Sequence, residues 1–207
     1  MELAQAPGFD INTVKGFLAD DEGEGLYQLA LTASQMGPCL EVGSYCGKST
    51  VYLGAACQHN GQTLFAVDHH RGSEEHQLGE EYHDPDLYDA KVEKMDSFRV
   101  FRDTLNRAQL EDTVVPLVAA SPVAGRHWAT PLALVFIDGG HAYETALDDY
   151  RTWAGHVIKG GLLLIHDIFP NPADGGQAPY DIYKLALASG LFEALPMINT
   201  LGVLRRL

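Results

Sequence analysis

Five short apolar runs recur along the chain, and most are separated by segments whose apolar residues return at helical spacing. The runs are PCLEV (38–42), QTLFAVD (62–68), TVVPLVA (113–119), LALVFID (132–138) and GLLLIHD (161–167). A run that is apolar at nearly every position reads as a strand covered on both faces. Segments 48–58, about 89–108 and 142–157 carry the amphipathic helical period. Alternating strands and helices require crossovers, and crossovers build a mostly parallel sheet. A helix at 180–189 and two closing antiparallel strands, within 187–197 and 200–207, complete the pattern. The expected fold is therefore a three-layer α/β/α domain with a seven-stranded, mostly parallel sheet and an antiparallel C-terminal strand. Residues 10–36 read as one or two helices that cap one end of the sheet. With no internal repeat and no linker, the 207 residues suit one domain, 1–207, with 1–36 as an N-terminal cap.

Charge narrows the partners. A formal net charge of −14 argues against nucleic acid and against an anionic membrane surface, both of which call for basic residues. A small molecule fits better, and a homodimer is compatible with the sequence. Cys39, Cys46 and Cys57 are odd in number and lack CxxC spacing, so they read as reduced, buried thiols. No secretory leader and no membrane-spanning run is visible, and a cytoplasmic location is expected.

Residues 69–88, HHRGSEEHQLGEEYHDPDLY, are polar, acidic and without a period. A loop this long after a strand end is either a lid over a cleft or a solvated excursion, and the sequence leaves both open.

The stretch LEVGSYCGKST (40–50) lies between the first strand and its helix, a position where several folds bind nucleotides or nucleosides. A phosphate-binding P-loop needs four residues between its glycines. Gly43 and Gly47 enclose three, although Lys48 and Ser49 follow as that motif requires. A nucleotide hydrolase of that kind is one alternative reading. The dinucleotide fingerprint needs a second glycine where Tyr45 stands. The third reading, E-x-G-x-x-x-G, resembles the first motif of class I S-adenosylmethionine (SAM) methyltransferases. Their ligand carries no phosphate, so an acid at Glu41 suits it. Asp68 ends the next strand, where an acid can accept hydrogen bonds from ribose hydroxyls. Ser44, Ser49 and His69 flank these positions and are candidate cofactor contacts.

The stretch 136–169 closely resembles the metal-dependent O-methyltransferases of the SAM class that act on sugars and related natural-product hydroxyls. The residues that carry the resemblance are Asp138, His141, Tyr143, Asp149, Trp153, Gly160, Gly161, His166 and Asp167. With Glu41, Gly43, Gly47 and Asp68 it spans most of 38–169, and it extends to sugar methyltransferases of the methylmannose-polysaccharide type. It implies a Rossmann-like SAM methyltransferase fold and transfer of a methyl group to a hydroxyl, with a saccharide the favoured acceptor. It also implies that Asp138 and Asp167 ligate a divalent cation, that Asp138 lies beside the cofactor, and that His141 is the general base. Mg²⁺ ranks first and Mn²⁺ next. Some sugar-methylating members place Glu before the final Asp; here stands His166, either a ligand or a neighbour of the site. Imidazole suits manganese or iron better than magnesium. Ser121, in the loop after the third strand, is the candidate adenine contact, while Trp128 reads as core packing.

The residue types suit that chemistry on their own terms. A sugar hydroxyl holds its proton at neutral pH. A cation lowers its pKa, and a histidine within reach accepts the proton. The plainer alternatives are a helix cap for His141, a loop ion pair for His166 and Asp167, and a binding module without catalysis.

Overall fold

The computed structural model describes residues 9–73, 79 and 84–207. Helix α1 (Asp20–Ala33) precedes β1 (Cys39–Val42), α2 (Lys48–His59) and β2 (Leu64–Val67). A small hairpin, β3 (Tyr88–Asp89) and β4 (Lys94–Met95), leads into α3 (Phe98–Arg107) and β5 (Val114–Leu117). Next come α4 (Ser121–Ala124), β6 (Leu132–Ile137), α5 (Tyr143–Trp153) and β7 (Val157–Ile165). The chain closes with α6 (Ala178–Ala188), β8 (Phe192–Ala194) and β9 (Gly202–Arg206).

The main sheet has seven strands in the order β5-β2-β1-β6-β7-β9-β8. β5, β2, β1, β6 and β7 pair in parallel, whereas β9 runs antiparallel to both β7 and β8. This is the expected sheet with its reversed C-terminal strand. Side-chain parity explains the two helical layers. Cys39, Leu64, Ala66, Leu134, Phe136, Leu162 and Leu164 face α1, α2 and α3. Leu40, Val42, Val67, Val135, Ile137, Leu163 and Ile165 face α5 and α6. The central strands β1, β2 and β6 and the second half of β7 thus bury both faces, which is why no polar alternation marked them in the sequence. All three cysteines are buried free thiols.

Three expectations need correction. The N-terminal helix does not cap a sheet end. Leu26, Ala30 and Ala33 form an apolar stripe that packs α1 beside α2 on one sheet face. The approach is close: a Cβ on Gly23 would stand 2.4 Å from the Tyr52 ring. The helix expected from about 89 begins only at Phe98, because Asp89 and Asp96 accept from the backbone amides of Lys91 and Phe98 and so make turns. The last parallel strand starts at Val157, ahead of its glycine pair. Within the acidic loop, Lys15 grips Asp84 and Asp86 at 2.6 and 3.0 Å. Residues 74–78 and 80–83 of the supposed lid lie outside the described residues. Among the described residues no helix is long and apolar enough to cross a membrane.

Candidate functional site

Sheet order reverses at β1, between β2 and β6. Open α/β sheets bind ligands outside the carboxyl ends of their strands at such a point. Here the turn after β1 passes very close to the end of β6. Gly43 has φ +88°, and a Cβ there would lie 1.9 Å from the Asp138 carbonyl oxygen. Its amide donates to Val67 at 3.0 Å, and the Asp138 amide donates to Val42 at 2.9 Å. Gly47, with φ +95°, is the N-cap of α2.

Glu41 shares the parity of Cys39 and therefore points toward α2. It is fully buried. Ser49 and Thr50, in the first turn of α2, each donate to one of its oxygens at 2.5 Å. Burial pushes its carboxyl up to about 7, against the pull of those hydroxyls. Glu41 thus braces the glycine turn against α2. The Ser44 hydroxyl is buried without a well-formed hydrogen bond, though it stands close enough to Glu41 to favour its charged form.

Asp68 braces the same turn from β2. One oxygen accepts from the Tyr45 amide at 2.8 Å and the other from the His70 amide at 2.7 Å. His69 is exposed and accepts from the Arg71 amide. His70 was not singled out in the sequence; it is buried, bonded to Ser97 at 2.8 Å and packed on Phe98 and Phe101. Lys48, which a P-loop would turn toward phosphate, instead donates to the Leu18 carbonyl at 3.0 Å. That speaks against the P-loop reading of this turn.

The second half of the site follows from strand register. Ile137 pairs with Ile165, so the next residues, Asp138 and His166, stand opposite each other on the α1 face. His166 Nδ1 lies 3.1 Å from Asp138 Oδ1. Asp167 then adopts φ +58°, a left-handed conformation that breaks strand parity and turns its carboxylate back. Its Oδ2 lies 3.4 Å from His166 Nδ1 and 2.9 Å from His141 Nε2. Ligand atoms of Asp138, His166 and Asp167 fall within 4.8 Å of one another.

Sequence reasoning missed Glu22 of α1. Its Oε2 lies 3.0 Å from His166 Nε2, and its Oε1 accepts from the Thr200 amide and hydroxyl at 2.9 and 2.6 Å. Glu22 and His166 are both buried. Burial opposes the charged forms here, yet the contacts prevail. Asp138 first, then Asp167 and Glu22, hold the His166 imidazole well above its usual range. His166 and Thr200 hold Glu22 down to about 2, and His141 and His166 hold Asp167 well below the usual carboxylate range. Nothing near position 22 in the sequence signals this role, since its partner is 144 residues away.

His141 lies in the loop before α5 and is exposed. Ala142 is the N-cap of α5, so His141 has no capping place there. Gly139 needs no positive φ; a Cβ there would meet Asp149 Oδ2 at 2.5 Å, so that carboxylate would have to move. Burial lifts the Asp149 carboxyl to about 6. Ser121 Oγ is buried and accepts from Trp153 Nε1 at 3.0 Å, so its hydroxyl serves the packing of α5. Trp128 packs edge-on against Phe65 and Trp153. A narrow crevice beside the site is lined by Asp138, Gly139, Gly140, His141, His166 and Ile182.

The donor set is chemically apt for a divalent cation. Two carboxylates and one imidazole converge, and a third carboxylate, Glu22, takes the far imidazole nitrogen, an arrangement common behind metal-ligating histidines.

The methyltransferase-domain family matches residues 40–168. Solved structures share the fold. The O-methyltransferase NovP is 18% identical with a TM-score of 0.67, over 90% of this chain and 79% of that one. The O-methyltransferase TomG from Streptomyces achromogenes, in complex with SAM, is 16% identical with a TM-score of 0.59, over 91% and 79%. The O-methyltransferase from Bacillus cereus, in complex with S-adenosylhomocysteine (SAH), is 15% identical with a TM-score of 0.60, over 96% and 82%.

Proposed function

The chain belongs to the methyltransferase-domain family, and from that premise we propose that it transfers a methyl group from SAM to a hydroxyl of a small molecule, with a divalent cation held by Asp138, His166 and Asp167. A saccharide is the favoured acceptor, on the resemblance of 136–169 to sugar-acting O-methyltransferases. The observation that carries the reading is the meeting of Asp138, His141, His166 and Asp167 at two adjacent strand ends beside the glycine turn.

SAM supplies an electrophilic methyl on a sulfonium, and its displacement demands alignment more than covalent catalysis. A cation in the site would lower the pKa of the acceptor hydroxyl and orient its oxygen. The chain's own residues do the rest. Glu41, through Ser49 and Thr50, holds the glycine turn in the shape that receives the nucleoside. Asp68 retains lone pairs beyond those that brace the turn, and these accept the ribose hydroxyls. His141 takes the acceptor proton, and Asp167, 2.9 Å from Nε2, steadies the resulting imidazolium. Glu22 keeps His166 facing the two aspartates.

The test is methyl transfer from isotopically labelled SAM to a panel of saccharides and phenols, read by mass spectrometry, with SAM binding followed by calorimetry. Methylated product that disappears in EDTA while SAM still binds is the expected result. Full-rate methylation in EDTA removes the cation from the reading. Tight SAM binding with no turnover on any hydroxyl indicates a binding module instead.

A further inference from the structure

His166 is held from both edges of its ring, and this bears on which cation the site accepts. Glu22 can only accept a hydrogen bond, so His166 Nε2, 3.0 Å away, must carry the proton. Glu22 has no freedom to release that nitrogen, because Thr200 donates to its other oxygen through both amide and hydroxyl. Both side chains are buried, so bulk water does not compete for that nitrogen. A cation bound in the site displaces the Nδ1 proton to solvent, and with Nε2 still protonated the lone pair of the neutral imidazole sits on Nδ1. That nitrogen points between Asp138 Oδ1, at 3.1 Å, and Asp167 Oδ2, at 3.4 Å.

We propose that Glu22 is a positioning residue that commits His166 to ligate through Nδ1, making a two-carboxylate, one-imidazole centre that selects Mn²⁺ or Fe²⁺ over Mg²⁺. The inference rests on the reading of Asp138, His166 and Asp167 as a cation site and goes further, to the class of cation. The reason is ligand chemistry. Mg²⁺ holds oxygen ligands and dehydrates reluctantly, while first-row transition ions take imidazole readily. A histidine with one nitrogen fixed by a carboxylate is also a more basic ligand, and loss of such a brace typically weakens metal binding by about 10–100-fold. Glu22 and Thr200 both lie outside the segment matched by the family, 40–168, so the brace belongs to this chain's flanking segments.

The experiment uses the full chain without SAM, titrated with Mn²⁺ or Mg²⁺ alone, and reads affinity by calorimetry and nitrogen coupling to Mn²⁺ by pulsed electron paramagnetic resonance. The wild type should bind Mn²⁺ more tightly than Mg²⁺ and show one imidazole nitrogen coupled to the ion. His166→Asp should abolish the nitrogen signal and shift preference toward Mg²⁺. Glu22→Gln should lower Mn²⁺ affinity by about 10–100-fold while affecting Mg²⁺ less. Thr200→Val, which removes one of the two Thr200 hydrogen bonds and spares the start of α1, should move in the same direction by less. Its retained melting temperature would separate positioning from unfolding. Mn²⁺ that binds in an Asp138-dependent way without nitrogen coupling, or with an affinity indifferent to Glu22→Gln and Thr200→Val, overturns the inference and leaves the cation site standing. Failure of both ions to bind, or binding unaffected by Asp138→Asn, overturns both.

Discussion

Glu41→Gln removes a buried charge while keeping a side chain of the same shape between Ser49 and Thr50. The Glu41 carboxyl has an ordinary value of 4.5 and is pushed up to about 7 in the fold. The unfolded chain thus loses this proton at a lower pH than the folded protein does. The folded state's advantage is complete below pH 4.5 and is lost as the pH rises through 7. The difference corresponds to about 3 kcal/mol of stability, at about 1.4 kcal/mol per pKa unit. Glutamine has no such proton. Its amide can accept from one hydroxyl and donate to the other, because hydroxyls rotate to suit. The stability of Glu41→Gln relative to wild type should therefore rise by about 3 kcal/mol between pH 4.5 and pH 8. Depressed carboxylates such as Glu22 titrate in both proteins and cancel in the comparison. Urea unfolding at a series of pH values, with matched slopes, measures the difference. A gap that stays constant across the series refutes the buried, proton-holding Glu41. A gap that moves the other way would mean that the hydroxyls of Ser49 and Thr50 outweigh burial.

Three further outcomes are expected. Asp68→Ala should weaken SAM and SAH binding by about 1.5–3 kcal/mol, the worth of charge-assisted hydrogen bonds, and calorimetry with SAH would read it. Gly43→Ala should cost more than about 4 kcal/mol of stability in a thermal melt, since it adds a Cβ 1.9 Å from the Asp138 carbonyl at a φ of +88°. His141→Ala should lower turnover by about 10²–10⁴-fold with SAH affinity and melting temperature near those of the parent; normal turnover would remove it as the base.

Strand ends were legible because their chemistry is local. The apolar run that becomes β6 stops at Asp138, and the run that becomes the end of β7 stops at His166 and Asp167. Given a parallel pairing, register alone brings Asp138 and His166 together. Glu41 was legible as a position but not as a role. Its parity, toward α2 and away from the crevice, appears only once the two faces of β1 are assigned to helices. Ser121 was likewise legible as a position in the turn after β5, while the indole of Trp153 that donates to its hydroxyl comes from α5.

What the sequence concealed is the support behind the site. Thr200 donates to Glu22 through its amide and hydroxyl, and its carbonyl accepts from the Ile168 amide at 2.9 Å. One residue just ahead of β9 thus ties α1 to the end of β7, where His166 and Asp167 stand. β9 is the reversed strand, and its antiparallel pairing with β7 sets Gly202 against Ile165. That pairing carries the segment ahead of β9 back to the carboxyl ends of the parallel strands. A parallel strand in the same place would start at the opposite edge and leave Glu22 without its second anchor. The reversal at the end of the sheet therefore does more than close an edge. It delivers the residue that fixes the brace on which the orientation of His166 depends.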